Sequence, residues 1–455
     1  MIMKQTKDVL SEMGQQYVHT VCEQIQCKSA RKAVAWELTD HILCQKQDFM
    51  EQGMQDEEAE ICAVLEMGEG KEVGMALDQI HRPKCQWQLM IPVFLLFGFG
   101  LVSRFLFSDI VEFESLFLLT GVGIGLFFLA YFLDVAVLYS MGKWFVLVVF
   151  LVLGLSFVLY HEHNGQPYFA MRYGMIPYYD FALILPIAQF AIYGLGYQRQ
   201  KKGFLLCVVS IGLFFLYLLW CDHISYVLLY GVAAWSSLGV AVFCDWFGIG
   251  KKEGKRLFFV LTAIGMILLC LYLFFVLRYR FDMAVGRMTG EENDSGYVAA
   301  LVQELWKNSQ WLGMGEVPKG KWRTTILYVI QSKEYGAELF LAKVAFVKGK
   351  LFVFFILCAF VFLFCWSYHK IRNQKSSHAK ITATCIWTIL LFQTIGYIFY
   401  NFGFMILSME LLPLVSDGIV CFWLNAFLIG ILLSVFRREN IANDGCILEK
   451  QIKNF

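Results

Sequence analysis

From Trp87 to Arg438 the chain is a succession of apolar runs of about 20 residues, broken by short polar turns and by one long segment. The runs cover 88–108, 113–139, 143–161, 176–197, 203–220, 224–244, 256–277, 351–368, 382–407 and 411–436. A run of that length crosses the roughly 30 Å hydrocarbon layer as a helix, because lipid offers no partner to backbone N–H and C=O groups. The pattern predicts an all-α, polytopic membrane protein with about ten transmembrane helices. A composition of 58% hydrophobic and 16% charged residues agrees. The net charge of +1 hides an uneven distribution, with charges gathered in residues 1–86, in loops and in the tail, and points to no nucleic-acid partner.

The short loops set the expected orientation. Lys143; Arg199, Lys201 and Lys202; Lys251, Lys252, Lys255 and Arg256; Lys370, Arg372, Lys375 and Lys380; and Arg437 and Arg438 fall on one side. That side is expected to be the cytoplasm, with both termini on it. The opposite short loops carry Arg104 and Arg172. One opposite segment, about 278–350, is much longer, and its Lys and Arg count for little because long loops cross regardless of charge. Its length marks it as functional rather than connecting. Within it "GYVAALVQELWKNSQWLG" reads as an amphipathic helix lying on the outer membrane face.

Residues 1–86 read as a small cytosolic helical domain ahead of a membrane domain over 87–438 and a tail over 439–455. In "RKAVAWELTDHILCQKQDFMEQG" Val34, Leu38, Ile42 and Phe49 recur near helical spacing, and Gly53 is a C-terminal stop. "DEEAEICAVLEMG" opens with acids that suit a helix N-terminus and ends at Gly68. "GKEVGMALDQIHRP" is closed by Pro83. Glu37, Asp40 and His41 share one helical face, as metal ligands or, by default, as a solvated surface. The 14 cysteines show no CxxC pair, and those in the first domain are expected as thiols in a reducing cytosol. No cleavable signal peptide is expected, since the first long apolar run begins near Trp87.

Ionisable groups in or beside spans are costly and mark sites. Asp180, Asp222 and Asp417, with Arg278 and Arg280 after the seventh span, gather at the outer face. Asp134 lies near the cytoplasmic end of the second span, where it reads as snorkelling. Gln393, Asn401 and Asn425 lie at bilayer depth, and Gln393, Tyr397 and Asn401 share a helical face, either lining a polar groove or bonding helix to helix. The external His161, Glu162 and His163 read as a solvated loop before a metal site.

The stretch "FQTIGYIFYNFGFMILSMELLPLVSDGIVCFWLNAFLIGILLSVFRR", Phe392 to Arg438, resembles the closing segment of the SEDS proteins (shape, elongation, division and sporulation; FtsW, RodA and SpoVE). Phe392, Gln393, Gly403, Leu412, Pro413, Ser416, Gly418, Asn425, Gly430, Leu432, Leu433, Ser434, Arg437 and Arg438 match its pattern. Upstream, "WCDHISYVLL" resembles Q-P-D-L-G-T and keeps Asp222, with Ser225 for the threonine. "NGQPYFAMRYGMIPYYDFALI" resembles a segment ending Q-P-S-E, with Pro177 kept and Asp180 near the glutamate's place. Gly296, Tyr297, Gly313 and Gly315 match the external G-Y-Q and G-K-G, with Met314 for the lysine. Residues 1–86 resemble the permease-prefix (HAAS-type) domain of bacterial membrane proteins, which implies a regulatory element or a docking site for a cytosolic partner.

The SEDS resemblance implies a bacterial cytoplasmic membrane protein of cell shape, division or sporulation. It implies work on lipid II, the undecaprenyl-linked peptidoglycan precursor, at the outer face, with a class B penicillin-binding partner. It requires no cofactor, with a divalent cation admissible. The family's external H-T-D motif has no counterpart here; its aspartate falls near Tyr335, beside Glu334. Glycosyl transfer needs a base for the acceptor hydroxyl and cations for the pyrophosphate. Asp222 and Glu334 are the candidate catalytic acids. Arg280, Asp180, Gln393, Ser416, Asp417 and Asn425 are the candidate substrate-binding residues. The alternatives are a member that binds precursor or partner without catalysis, and a transporter or flippase of a lipid-linked substrate, which needs a continuous polar path.

Overall fold

The computed structural model describes residues 10–107, 113–163, 166–171, 174–289, 296–331, 338–405, 411–415 and 419–439. The chain divides into two compact units. One is 1–86 with 374–379 and 435–455; the other is 87–373 with 380–434.

The first unit is built on α1 (Glu12–Gln24), α2 (Lys28–Glu51), α3 (Asp56–Glu66) and α4 (Gly70–His81). Val18, Val21, Ile25, Val34, Leu38, Ile42 and Ala63 form its core. The glycines stop helices as their positions predict: Gly53 follows α2 at φ +94° and Gly68 follows α3 at φ +84°, a region open to glycine. Two buried acids brace loops. Glu60 accepts from Ser11 N at 2.7 Å and from Lys46 Nζ at 3.0 Å. Asp78 accepts from Gln26 N at 2.8 Å and from Arg82 Nη2 at 2.6 Å. Glu37, Asp40 and His41 are all exposed.

In the second unit a helix stands within or across each predicted apolar run, as far as the described residues go. These helices are α5 (Trp87–Phe107), α6 (Phe113–Phe132), α8 (Gly142–Val158), α9 (Leu185–Gly196), α10 (Gln200–Trp220), α11 (Ile224–Phe243), α12 (Lys251–Thr289), α16 (Lys350–Asn373), α17 (Ser377–Asn401) and α18 (Ile419–Arg437). Among the described residues six stretches are long and apolar enough to cross a membrane, and three shorter apolar helices stand at the first three predicted spans. The chain is a multi-pass helical membrane protein.

Three departures from the predicted spans have local causes. The second run breaks at Leu133, and Asp134 caps the short helix α7 (Val135–Ser140) by accepting from Ala136 N at 3.1 Å. Asp134 is thus a helix cap rather than a snorkelling charge. The stretch read as a solvated loop holds a three-stranded antiparallel sheet, β1 (His161–His163), β2 (Gln166–Met171) and β3 (Gly174–Pro177), in which Tyr168 pairs with both His161 and Pro177. The fourth span then opens as a 3₁₀ turn, Tyr178–Leu183, before α9. Finally, α12 runs for 39 residues, about 58 Å at 1.5 Å per residue, so it continues far beyond one bilayer thickness. Arg278 and Arg280 lie on this helix and not in a loop.

Tyr139, on α7, organises the helix packing. Its ring stacks on Phe190 at 6.0 Å and meets Trp246 edge-on at 5.6 Å, and its hydroxyl bonds Thr382 Oγ1 at 2.9 Å. Gly194 permits this approach: a Cβ there would collide with the Tyr139 carbonyl oxygen.

Candidate functional site

Among its described residues the segment between α12 and α16 holds three short helices, α13 (Tyr297–Asn308), α14 (Trp322–Gln331) and α15 (Phe340–Val347). Ala299, Leu301, Val302 and Leu305 of α13 pack with Ile326, Val329, Leu339, Ala342, Phe346 and Met405. The apolar stripe of α13 therefore faces a protein core, where the sequence placed it on the membrane. Periodicity identifies such a stripe and leaves its partner open.

Tyr397 and Asn401 anchor this segment to α17. The first turn of α15 has backbone donors with no partner inside the helix. Tyr397 Oη accepts from Phe340 N at 3.2 Å, and Asn401 Oδ1 accepts from Leu341 N at 3.1 Å and Ala342 N at 3.3 Å. Asn401 Nδ2 donates to the Glu338 carbonyl at 2.9 Å, and Trp306 Nε1 donates to the Asn401 carbonyl at 2.6 Å. Of the two readings open for these residues, hydrogen bonding between segments is the one observed. The polar bonds of Asn401 are engaged within the protein, which removes it from a transmembrane polar path.

Gln393 and Asn425 form a second polar group, both about 1% exposed. Gln393 Nε2 donates to the Leu411 carbonyl at 3.1 Å and to Cys421 Sγ at 3.4 Å, and Asn425 Nδ2 reaches the same sulfur at 3.1 Å. Gln393 Oε1 and Asn425 Oδ1 are buried with no hydrogen-bond partner among the described residues. Gln393 thus ties α17 to Leu411 and to α18, where Asn425 shares the Cys421 sulfur from within the same helix. Ser416 and Asp417, like Glu334, lie outside the described residues. The backbone of Arg280 is on α12.

The third group lies where the 3₁₀ turn packs against α11. Asp180 is buried within the turn, beside Tyr178 and Tyr179. Asp222 is exposed on the three-residue connection between α10 and α11, at φ +49°, a conformation that Asp tolerates better than most residues. Next to it His223 is buried, with its ring centroid 4.4 Å from that of Tyr179 and 4.8 Å from that of Tyr226. The His223–Tyr179 contact brings the turn that carries Asp222 against the turn that carries Asp180. A carboxylate and an imidazole are both side chains that can take or give a proton in a reaction. Among the described residues no group of three His, Cys, Asp or Glu side chains is placed to hold a metal ion.

Sequence reasoning passed over two residues. His223 adjoins a predicted acid, but of its two aromatic neighbours Tyr179 comes from a distant segment. Lys343, on α15, is about 1% exposed and was counted only among the charges of a long loop.

No family model matches the chain, and no curated protein matches it significantly in sequence. Solved structures do match. A chain of a peptidoglycan synthase complex, studied for how polymerization and crosslinking are coordinated, aligns with a TM-score of 0.59 at 17% identity, over 78% of this chain and 98% of that one. The rod shape determining protein RodA of Thermus thermophilus aligns with a TM-score of 0.51 at 15% identity, over 79% of this chain and 98% of RodA. An aspartate-to-alanine variant of that RodA gives 0.50 at 16% identity, over 79% and 99%. With its polytopic helices and nearly the whole of RodA accounted for, this chain has the RodA fold.

Proposed function

We propose that this protein works in bacterial peptidoglycan synthesis as a SEDS-type membrane protein, engaging lipid II on the extracytoplasmic face with a class B penicillin-binding protein as partner. Both termini lie in the cytoplasm, where residues 1–86 serve as a regulatory or docking domain. The observation that supports this most is the alignment with 98% of a chain from a peptidoglycan synthase complex. The acids support it too: the exposed Asp222 adjoins the buried His223, whose ring lies against Tyr179, the neighbour of the buried Asp180.

Two activities fit. In polymerisation the acceptor hydroxyl attacks the anomeric carbon, the bond to pyrophosphate breaks, undecaprenyl pyrophosphate leaves and a base takes the hydroxyl proton. Asp222 and Glu334 are the candidates for that base, and Arg280 for holding the pyrophosphate. The missing H-T-D motif favours the second activity, holding precursor or partner without chemistry. Labelled lipid II, incubated with the purified protein alone and with its penicillin-binding partner, separates them on a gel. Glycan polymer that disappears in Asp222→Ala or Glu334→Ala establishes catalysis; no polymer under any pairing leaves binding as the activity.

A further inference from the structure

The loop Gln310–Gly315, between α13 and α14, exposes three large apolar side chains: Trp311 at 71%, Leu312 at 64% and Met314 at 52%. Its backbone is turned inward. Gly313 N donates to the Lys348 carbonyl at 3.1 Å and Gly315 N to the Phe346 carbonyl at 2.7 Å, while Lys350 N and Leu351 N donate to the carbonyls of Gln310 and Trp311 at 2.9 and 3.1 Å. The fit is close: a Cβ on Gly349, at φ +109°, would come within 2.5 Å of the Trp311 carbonyl oxygen. The loop is therefore a fixed projection, tied by four backbone hydrogen bonds to the end of α15 and the start of α16.

Its position gives the projection meaning. Lys350 and Leu351 open α16, a membrane-crossing stretch, so the loop is stitched to a point where the chain enters the bilayer. The apolar surface continues from it onto the exposed Phe352, Phe354 and Phe355 at the start of α16. Lys348 and Lys350 flank the same turn, where ammonium groups reach the headgroup layer while their stems stay on apolar surface. Trp favours the depth of the membrane boundary, where headgroups and water meet the acyl chains.

We propose that Trp311, Leu312 and Met314 form a wedge inserted into the lipid interface beside α16, which fixes the α13–α15 segment at the membrane surface. The partner is the bilayer itself, at the boundary between headgroups and acyl chains. This assignment does not depend on the activity proposed above.

The test uses the full chain labelled with 5-fluorotryptophan in phosphatidylglycerol-containing nanodiscs. The Trp311 fluorine resonance is assigned by its loss in Trp311→Phe, and the remaining resonances report that the fold is kept. A nitroxide at carbon 5 of the lipid acyl chain should broaden the Trp311 signal more than a soluble gadolinium chelate does. Leu312→Asp should reverse that order. Stronger broadening by the chelate in the wild type overturns the wedge in favour of a water-facing surface. Broadening by neither reagent overturns it in favour of a protein contact.

Discussion

Asn401 holds the first turn of the helix that carries Leu341: its side-chain oxygen lies 3.1 Å from the Leu341 amide nitrogen and 3.3 Å from that of Ala342. One side chain at the end of α17 thus caps a helix 60 residues earlier in the chain. Asn401→Leu leaves two buried donors without their acceptor, at a cost of about 1–3 kcal/mol. Hydrogen exchange over 338–347 in the full chain should speed up roughly tenfold or more, with little change in α10. Unchanged exchange there would remove the capping role.

Gly194 lies against the Tyr139 carbonyl, and an added methyl group has no room without moving backbone. Gly194→Ala should destabilise the second unit by about 1–3 kcal/mol, with a lowered thermal midpoint. Gly125, whose added Cβ meets nothing within 4 Å, is the control.

The first unit should lose protection at both pH extremes. Burial pushes the Glu60 carboxyl up, but bonds from Ser11 and Lys46 outweigh it and hold it below its ordinary range. The Gln26 amide and then Arg82 hold Asp78 low as well. A carboxyl lowered by folding stabilises the fold above its unfolded value of about 4, and that contribution is lost as pH falls through the folded value. Lys46 is shifted up, first by its bond to Asp56 and with Glu60 adding to it against burial. Its contribution is complete below an unfolded value of about 10.4 and is lost as pH rises through the folded one. The protection of residues 12–24, measured as exchange relative to the unstructured chain at the same pH, should therefore fall in acid, and Glu60→Gln should flatten the acid limb.

Asp222 separates folding from function. It is exposed in a left-handed turn, which Asn also tolerates, so Asp222→Asn should leave thermal stability within about 0.5 kcal/mol. Lipid II binding or polymerisation should fall in the same variant. A stability loss equal to that of a core variant would reassign Asp222 to the fold.

How much of this was legible in the sequence follows from the kind of signal each feature leaves. Apolar runs longer than a soluble helix needs left one solution, so the helices at 203–220, 224–244 and 351–368 are found where the pattern puts them. Breaks were harder to see: Asp134 stood out as a charge in the second run, but only its cap bond to Ala136 shows that a new helix starts there. Tyr397 and Asn401 were visible as one polar face, but their partner, the first turn of α15, lies in a segment whose fold depends on tertiary packing. The acids Asp180 and Asp222 stood out because charge is rare beside spans. His223 did not, since a single histidine carries no pattern until Tyr179 and Tyr226 surround it.

The most direct measurement is lipid II binding to the full chain in nanodiscs, followed by native mass spectrometry with undecaprenyl phosphate as competitor. Saturable binding of lipid II that resists the competitor and weakens at least tenfold in Asp222→Asn is the predicted result. Binding of lipid II no tighter than that of undecaprenyl phosphate, and unchanged by the substitution, would contradict a role for this protein on the peptidoglycan precursor.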